Sequence, residues 1–384
     1  MLSKKMCIPI LALVCFLSTT ACNKNDTRKK DTVKINPVEM NMNLEALPYE
    51  DLEKEWSNMN MDKYILRTAQ QIWNTWNKLD KLWPGVDYSK YDVLYVETNG
   101  ENAWLISKDK KITKMKVSDL PSKFKSQGEP FEFNSSKEIL NLKPTIKVEV
   151  DSELFNNEYN EGEFRALPSS SMLFTFTIHE EFHNYQDSWK IDETDKEKLL
   201  QEGVENFGAR SQRLEIINAL NKAILEPEKE QQHIEAAKWW FEQYKKDNSK
   251  EFEMVKSIDI LEGTARYFDM ATNIRSINTE DLDEKEAMKM YQDLIREDYK
   301  LESKRFFGLP DEESYDIGGS VGILLEKHKN EEWKKEAEKG ILPLEILLKD
   351  YKAVPQSESI EVKKLMADIK EYREKIKNEQ DTQE

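Results

Sequence analysis

Apolar residues mark out three regions along the chain. Between about Leu52 and Leu82, the residues Leu52, Trp56, Ile65, Ile72, Trp73 and Trp76 recur at roughly helical spacing, which predicts two helices or one broken helix. The next segment, YDVLYVETNGENAWLIS, carries two β-rich runs on either side of Asn99-Gly100, a strong hairpin signal. ITKMKV alternates as a further strand, and KPTIKVEVD near residues 143 to 151 reads as another. These runs predict a small, mostly antiparallel sheet. Beyond about Ser170 the period changes to long helical segments, at roughly 171 to 189, 197 to 224, 229 to 246, 251 to 275, 284 to 304 and 317 to 328, with shorter ones after. In YDIGGSVGILLEK the pair Gly318-Gly319 and Gly322 offer places where helices or backbone can approach closely. The highly charged stretch from about Glu358 reads as a solvated terminal helix.

The two ends of this pattern are different in kind. Residues 23 to about 45 are polar and without periodicity, as a tether is. Before them, Lys4 and Lys5 precede a short apolar run from Ile8 to Leu17, which the small residues Ser18, Thr19, Thr20 and Ala21 close. That is the layout of a secretory signal, and the run is too short to span a bilayer. Small residues followed by Cys22 resemble the lipobox of bacterial lipoproteins, with Thr19 where that pattern usually has Leu. The resemblance implies cleavage before Cys22 and lipid on that cysteine, hence a place in the bacterial cell envelope, at the outer membrane or cell surface. Cleavage near Ala21 without lipid is the plain alternative.

Composition narrows the function. Of 384 residues 38% are hydrophobic, enough to build a packed core, and the formal net charge is −17. An acidic surface of this kind is repelled by phosphate backbones, which argues against nucleic acid as a partner, and membrane attachment must come from lipid alone. All three cysteines, Cys7, Cys15 and Cys22, lie at or before the cleavage point. The mature body therefore has no disulfide and no thiolate metal site.

The chemistry sits in MLFTFTIHEEFHNYQ. His179 and His183 are four apart, so on a helix both imidazoles reach one metal ion, and Glu180 stands where a general base is needed. His233 and His328, the other two of only four histidines, sit among charges and read as surface residues. With no spare His or Cys, the third protein ligand should be a carboxylate. Three are candidates. Glu262, in ILEGTARYFDM, is followed by Gly263 and Ala265, small enough to let a second helix pack over the metal helix; Glu202 lies in LLQEGVENF and Glu215 in RLEIINAL. Gln186 and Asp187, three and four residues after His183, can orient an imidazole or a ligand carboxylate, and Tyr267, Arg266 and Tyr315 are candidates to stabilise an oxyanion. Trp73, Trp76, Trp239 and Trp240 lie in helical segments and read as core aromatics before they read as a sugar-binding platform.

Two resemblances follow from these residues. LLQEGVE, with eighteen residues between His183 and Glu202, resembles the zinc signature of gluzincin aminopeptidases. Between about residues 170 and 352 the order HEEFHNYQ, RLEIINAL, EGTARY and YDIGGSVG resembles that of bacterial secreted or lipoprotein metallopeptidase-like proteins with an HExFHxxQ…EGxAxY pattern. Carried over by position, this second pattern marks His179, Glu180, His183, Glu215, Glu262 and Tyr315, whereas the first favours Glu202. The chain as a whole reads as an α+β zincin-like fold: a signal peptide over 1–21, a tether over 22–45, a helical and strand-containing lobe over 46–165, and a helical catalytic lobe over 166–384, of which the resemblance covers only the last. The resemblance implies Zn2+ as cofactor and a peptide or protein substrate. A cell-surface lipoprotein that binds glycans or peptides, with a vestigial or structural metal site, is the rival expectation.

Overall fold

The computed structural model describes residues 38–39, 60–98, 100–126, 133–134, 139–140, 143–152, 155, 165–167, 170–191, 198–199, 203, 205–277, 282–298 and 310–381. The expected signal peptide, Cys22 and Glu202 lie outside the described residues, as does the expected tether apart from Val38–Glu39. The protein is mixed α+β and mostly helical. It divides into two compact units, one drawn from Met1–Trp73, Tyr88–Arg165 and Ser171–Leu173, the other from Asn74–Asp87, Ala166–Ser170 and Phe174–Glu384. Among the described residues no helix is long and apolar enough to cross a membrane.

The first unit holds helix α1 (Met61–Thr75) and a sheet built on β2 (Asp92–Glu97), β3 (Asn102–Ser107), β4 (Lys111–Lys116) and β7 (Lys143–Val150), edged by the short strands β1 (Val38–Glu39), β5 (Phe133–Asn134) and β6 (Ile139–Leu140). The Asn99-Gly100 signal marks the β2–β3 hairpin. In its loop the Glu97 carboxylate accepts the backbone N–H groups of Glu101 and Asn102 at 3.0 and 2.8 Å, so a side chain closes the turn. The sheet is mostly antiparallel, as expected, with one parallel pairing that was not: β7 pairs with β2, Val93 opposite Ile146 and Tyr95 opposite Val148. β2 accordingly sits centrally and is buried along its whole length, the pattern of a strand covered on both faces. One face packs Leu94, Val96, Leu105, Met115 and Phe124 together. Against the other lies α1, where the Trp104 indole donates to Asp62 at 2.8 Å and that of Trp73 to the Ser107 carbonyl at 2.8 Å.

In the second unit the helices are α2 (Leu79–Leu82), α3 (Met172–Gln186), α4 (Phe207–Leu225), α5 (Glu230–Asp247), α6 (Ser249–Ser276), α7 (Glu284–Asp298), α8 (Pro310–Lys327), α9 (Trp333–Ala337), α10 (Pro343–Leu348) and α11 (Ile360–Asp381). Within the expected segment from 197, Lys198, Leu199 and Gly203 are helical, and α4 starts anew at Phe207, where Asn206 caps it by accepting the Ala209 N–H at 3.2 Å. α8 starts at Pro310, a full two turns before the expected 317; proline at a first helical position has no N–H to lose. Gly318 and Gly319 thus lie inside a helix.

Their role is close packing. A Cβ built on Gly318 would come within 2.0 Å of the Gly263 Cα, and one on Gly322 within 2.3 Å of the Tyr267 ring. α6 and α8 therefore touch backbone to backbone at Gly263 and Gly318. Gly263 was expected to admit the metal helix; it admits α8 instead. One residue turns a helix by about 100°, so Gly263 cannot face the same way as Glu262.

Candidate metal centre

α3 is apolar on most of its surface, with Leu173, Phe174, Ile178 and Phe182 buried, so the polar residues of HEEFH are carried into the interior by a helix that has to be there. α6 is likewise buried nearly all round. Along it Glu251, Asp259, Glu262 and Asp269 are each less than a tenth exposed, and carboxylates in such surroundings require cations or hydrogen-bond donors.

His179, His183 and Glu262 converge on one point. His183 Nε2 lies 3.1 Å from His179 Nε2 and 3.0 Å from Glu262 Oε2, and His179 Nε2 lies 3.4 Å from the same oxygen. Ligand atoms about 2 Å from a tetrahedral ion stand about 3.3 Å apart, which is the size of this triangle. The other nitrogen of each ring is already engaged. His179 Nδ1 meets Asp269 Oδ2 at 2.9 Å, and His183 Nδ1 meets Gln186 Oε1 at 2.6 Å. The Gln186 amide can be oriented only this way, because its Nε2 donates to the Leu261 carbonyl and to Thr264 Oγ1, both at 2.8 Å. With both Nδ1 positions donating, both Nε2 atoms present lone pairs to each other and to a carboxylate oxygen. Three electron-rich atoms converging on a point fit a cation there, and the buried group can hold a metal ion.

The electrostatics agree. Burial by itself disfavours charge on His179, but its hydrogen bonds with Asp269 and Glu262 and the nearby charges of Asp269 and Glu180 outweigh that, pushing its pKa up to about 10.

Asp269 is the member of the site that sequence reasoning missed. The signal was present: seven residues from Glu262 is two helical turns, the same face. Its second oxygen accepts from Arg266 Nη1 at 3.0 Å, so Arg266 fixes the carboxylate that fixes His179. Replacing Asp269 with Asn should lower metal affinity about 10- to 100-fold, the usual effect of losing such a partner. Competition with a chromophoric chelator measures it, and unchanged affinity would remove Asp269 from the site.

The other candidates are dispersed. Tyr315 remains close, its ring stacked on that of His179 at 5.5 Å between centroids and 25° between planes. Tyr267 stands about 140° round α6 from Glu262. Fully buried, it packs edge-on against Trp333 at 5.2 Å, and burial with the neighbouring Glu326 holds its proton on well above the ordinary tyrosine range. Its face of α6 differs from the one carrying the ligand, so the expected oxyanion role lacks the geometry. Glu215 is not part of the group either. Its carboxylate accepts the Ser359 N–H, and burial raises its pKa. Asp187 is exposed past the end of α3. His233, half-buried, and His328, exposed as expected, pair with Glu226 and Glu230 at 3.3 and 2.7 Å and are not part of the centre. Trp76 is buried and Trp73, Trp239 and Trp240 are half-buried.

The motif containing Glu215 does reach the site, through a different residue. Arg213 on α4 clamps Asp259 of α6 with two hydrogen bonds of 3.0 and 2.7 Å and reaches Glu313 of α8 at 2.7 Å. Asp259 is nearly one turn before Glu262, and Glu313 is two residues before Tyr315. Arg210 pairs with Glu251 in the same buried network, yet burial still raises the pKa of Glu313 to about 7. These ion pairs set the register of α4, α6 and α8, and so the positions of the carboxylate ligand and of the ring that stacks on His179.

Searches against family models, curated proteins and solved structures return no match for this chain.

Proposed function

We propose that the protein is a zinc-dependent metallopeptidase of zincin-like fold, carried at a bacterial membrane by lipid on Cys22. The observation that carries this reading is the His179–His183–Glu262 triangle with both Nδ1 atoms engaged elsewhere. Three protein ligands leave an ion open on one side, as catalytic centres require and structural ones do not. Two imidazoles and a carboxylate also suit iron(II); the glutamate directly after the first histidine favours hydrolysis, and with it zinc.

When bound, zinc supplies a Lewis acid that polarises the scissile carbonyl and makes water a better nucleophile. Glu180, half-buried beside His179, accepts a proton from the attacking water and delivers it to the leaving amine. Asp269 and Gln186 keep the imidazoles aimed. Tyr315, stacked on His179, keeps that ring from rotating and borders the centre from α8.

Metal analysis of the purified chain tests the reading against a surface-binding protein. About one zinc per chain is expected, and chelation should remove zinc and peptide hydrolysis together; iron in its place, or hydrolysis that survives complete zinc removal, would overturn the assignment. The envelope location has a separate test. Cys22→Ser should release the protein from membranes and abolish labelled fatty-acid uptake, since a lipidated cysteine carries enough acyl chain for stable anchoring and the acidic body adds no attraction of its own. Undiminished membrane association of the variant would refute the lipid anchor.

A further inference from the structure

The five charged side chains that join α4, α6 and α8 do not balance. Arg210 and Arg213 of α4 face Glu251 and Asp259 of α6 and Glu313 of α8, and each of the five is less than a tenth exposed. Two positive charges thus meet three negative ones where water does not reach, and an uncompensated buried charge is costly. The groups around them do not repair this. The Tyr244 hydroxyl of α5 donates to Glu251, and burial keeps its proton on. Asp316, one turn further along α8 and buried, adds to the negative side. Lys370 and Arg373 of α11 lie over the Phe207 ring, the first exposed and the second half-exposed, where water screens their charges.

Hydrogen bonding decides which carboxylate is the odd one. Asp259 receives Arg213 on both oxygens and Ser314 Oγ on one of them. Glu251 receives Arg210 and Tyr244 on one oxygen and Asn206 Nδ2 on the other. Glu313 is approached at Oε2 alone, where Arg213 Nε donates at 2.7 Å and Arg210 Nη1 stands at 3.2 Å outside hydrogen-bond geometry. Its buried Oε1 has no partner among the described residues. A proton on that oxygen costs least, since it makes the group neutral and removes the excess charge. Burial, helped by the charge of Glu251, accordingly outweighs the two arginines and raises the Glu313 pKa to about 7.

We propose that Glu313 is a proton-operated latch on α8. With its proton, the four remaining charges of the network balance and α8 seats on α4 and α6; without it, the excess negative charge loosens the first two turns of α8. Because the folded-state pKa lies above the ordinary glutamate range, the stabilisation is complete below that range and is lost as the pH rises through about 7. The latch is independent of the metallopeptidase reading, although Tyr315 in the second turn, stacked on His179, would carry its state to the metal centre.

Two measurements on the full chain test it. Difference infrared spectroscopy between pH 5 and 9 should show the carbonyl band of a protonated buried carboxyl disappear with a midpoint near 7, and Glu313→Gln should remove that band. Backbone hydrogen exchange over the start of α8, corrected for its intrinsic pH dependence, should become about tenfold faster from pH 6 to pH 8 in the original chain and change by less than about twofold in Glu313→Gln. The amide resembles the protonated carboxyl, so the variant keeps the balanced network. If it does not fold, Glu251→Gln removes a facing carboxylate from α6 and should lower the midpoint of the band by roughly one pH unit. A band that survives in Glu313→Gln overturns the proposal. So does a midpoint unmoved in Glu251→Gln, or exchange at α8 that is no more pH-dependent in the original chain than in Glu313→Gln.

Discussion

Glu180→Gln should leave metal content at about one ion per chain and reduce peptide hydrolysis about 10²- to 10⁴-fold, the usual contribution of a positioned general base. The separation of these two effects follows from the geometry. The ligand triangle is made by His179, His183 and Glu262, with the imidazoles held by Asp269 and Gln186, and neither of those bonds involves Glu180. Its carboxylate acts on the centre only through its charge, which is among the influences that favour a cation at His179. The amide is nearly isosteric, so folding is unaffected; it has no lone pair basic enough to take a proton. Zinc affinity should fall slightly as the negative charge is lost, whereas the rate should collapse. Steady-state hydrolysis of a peptide library and metal analysis of the same preparation measure both. A variant that keeps most of the original rate would exclude Glu180 as the base and with it the proposed mechanism.

For Glu262→Ala the expectation is the reverse order of events, metal first and activity as a consequence. Removing the only carboxylate in the triangle leaves two imidazoles, and affinity should drop by more than about 100-fold, beyond what loss of a ligand's hydrogen-bonding partner costs. Glu215→Ala and Glu202→Ala should keep close to one ion per chain. Glu215→Ala has a different penalty, since the half-buried Ser359 N–H loses its acceptor, at about 1 kcal/mol of stability. Metal content must therefore be expressed per folded molecule, with circular dichroism giving the folded fraction. Near-normal metal in Glu262→Ala would displace Glu262 from the centre and reopen the choice among the three.

Much of this protein could be read from local pattern. The HEEFH spacing placed His179, Glu180 and His183 on one buried helix, because a period of 3.6 residues decides that without reference to any other part of the chain. The hairpin at Asn99-Gly100 and the run of helices from α3 to α8 were legible for the same reason. Even Glu262 was favoured in advance, though for a neighbour, Gly263, that turned out to face α8.

What pattern could not supply was anything that depends on which elements meet. The parallel pairing of β7 with β2 is invisible to alternation, which specifies a strand's two faces and not its partner. Three glutamates were chemically equivalent as ligands until the folding of α6 against α3 brought one to within 3.4 Å of both imidazole Nε2 atoms. Tyr267 and Asp269 differ by two residues, yet the helix turns one toward Trp333 and the other toward His179. The sequence by itself determined which residues could do the chemistry, since residue type and helical period are local properties. Only the tertiary structure decided which of them do it together, because distance between side chains on different helices is a property of packing.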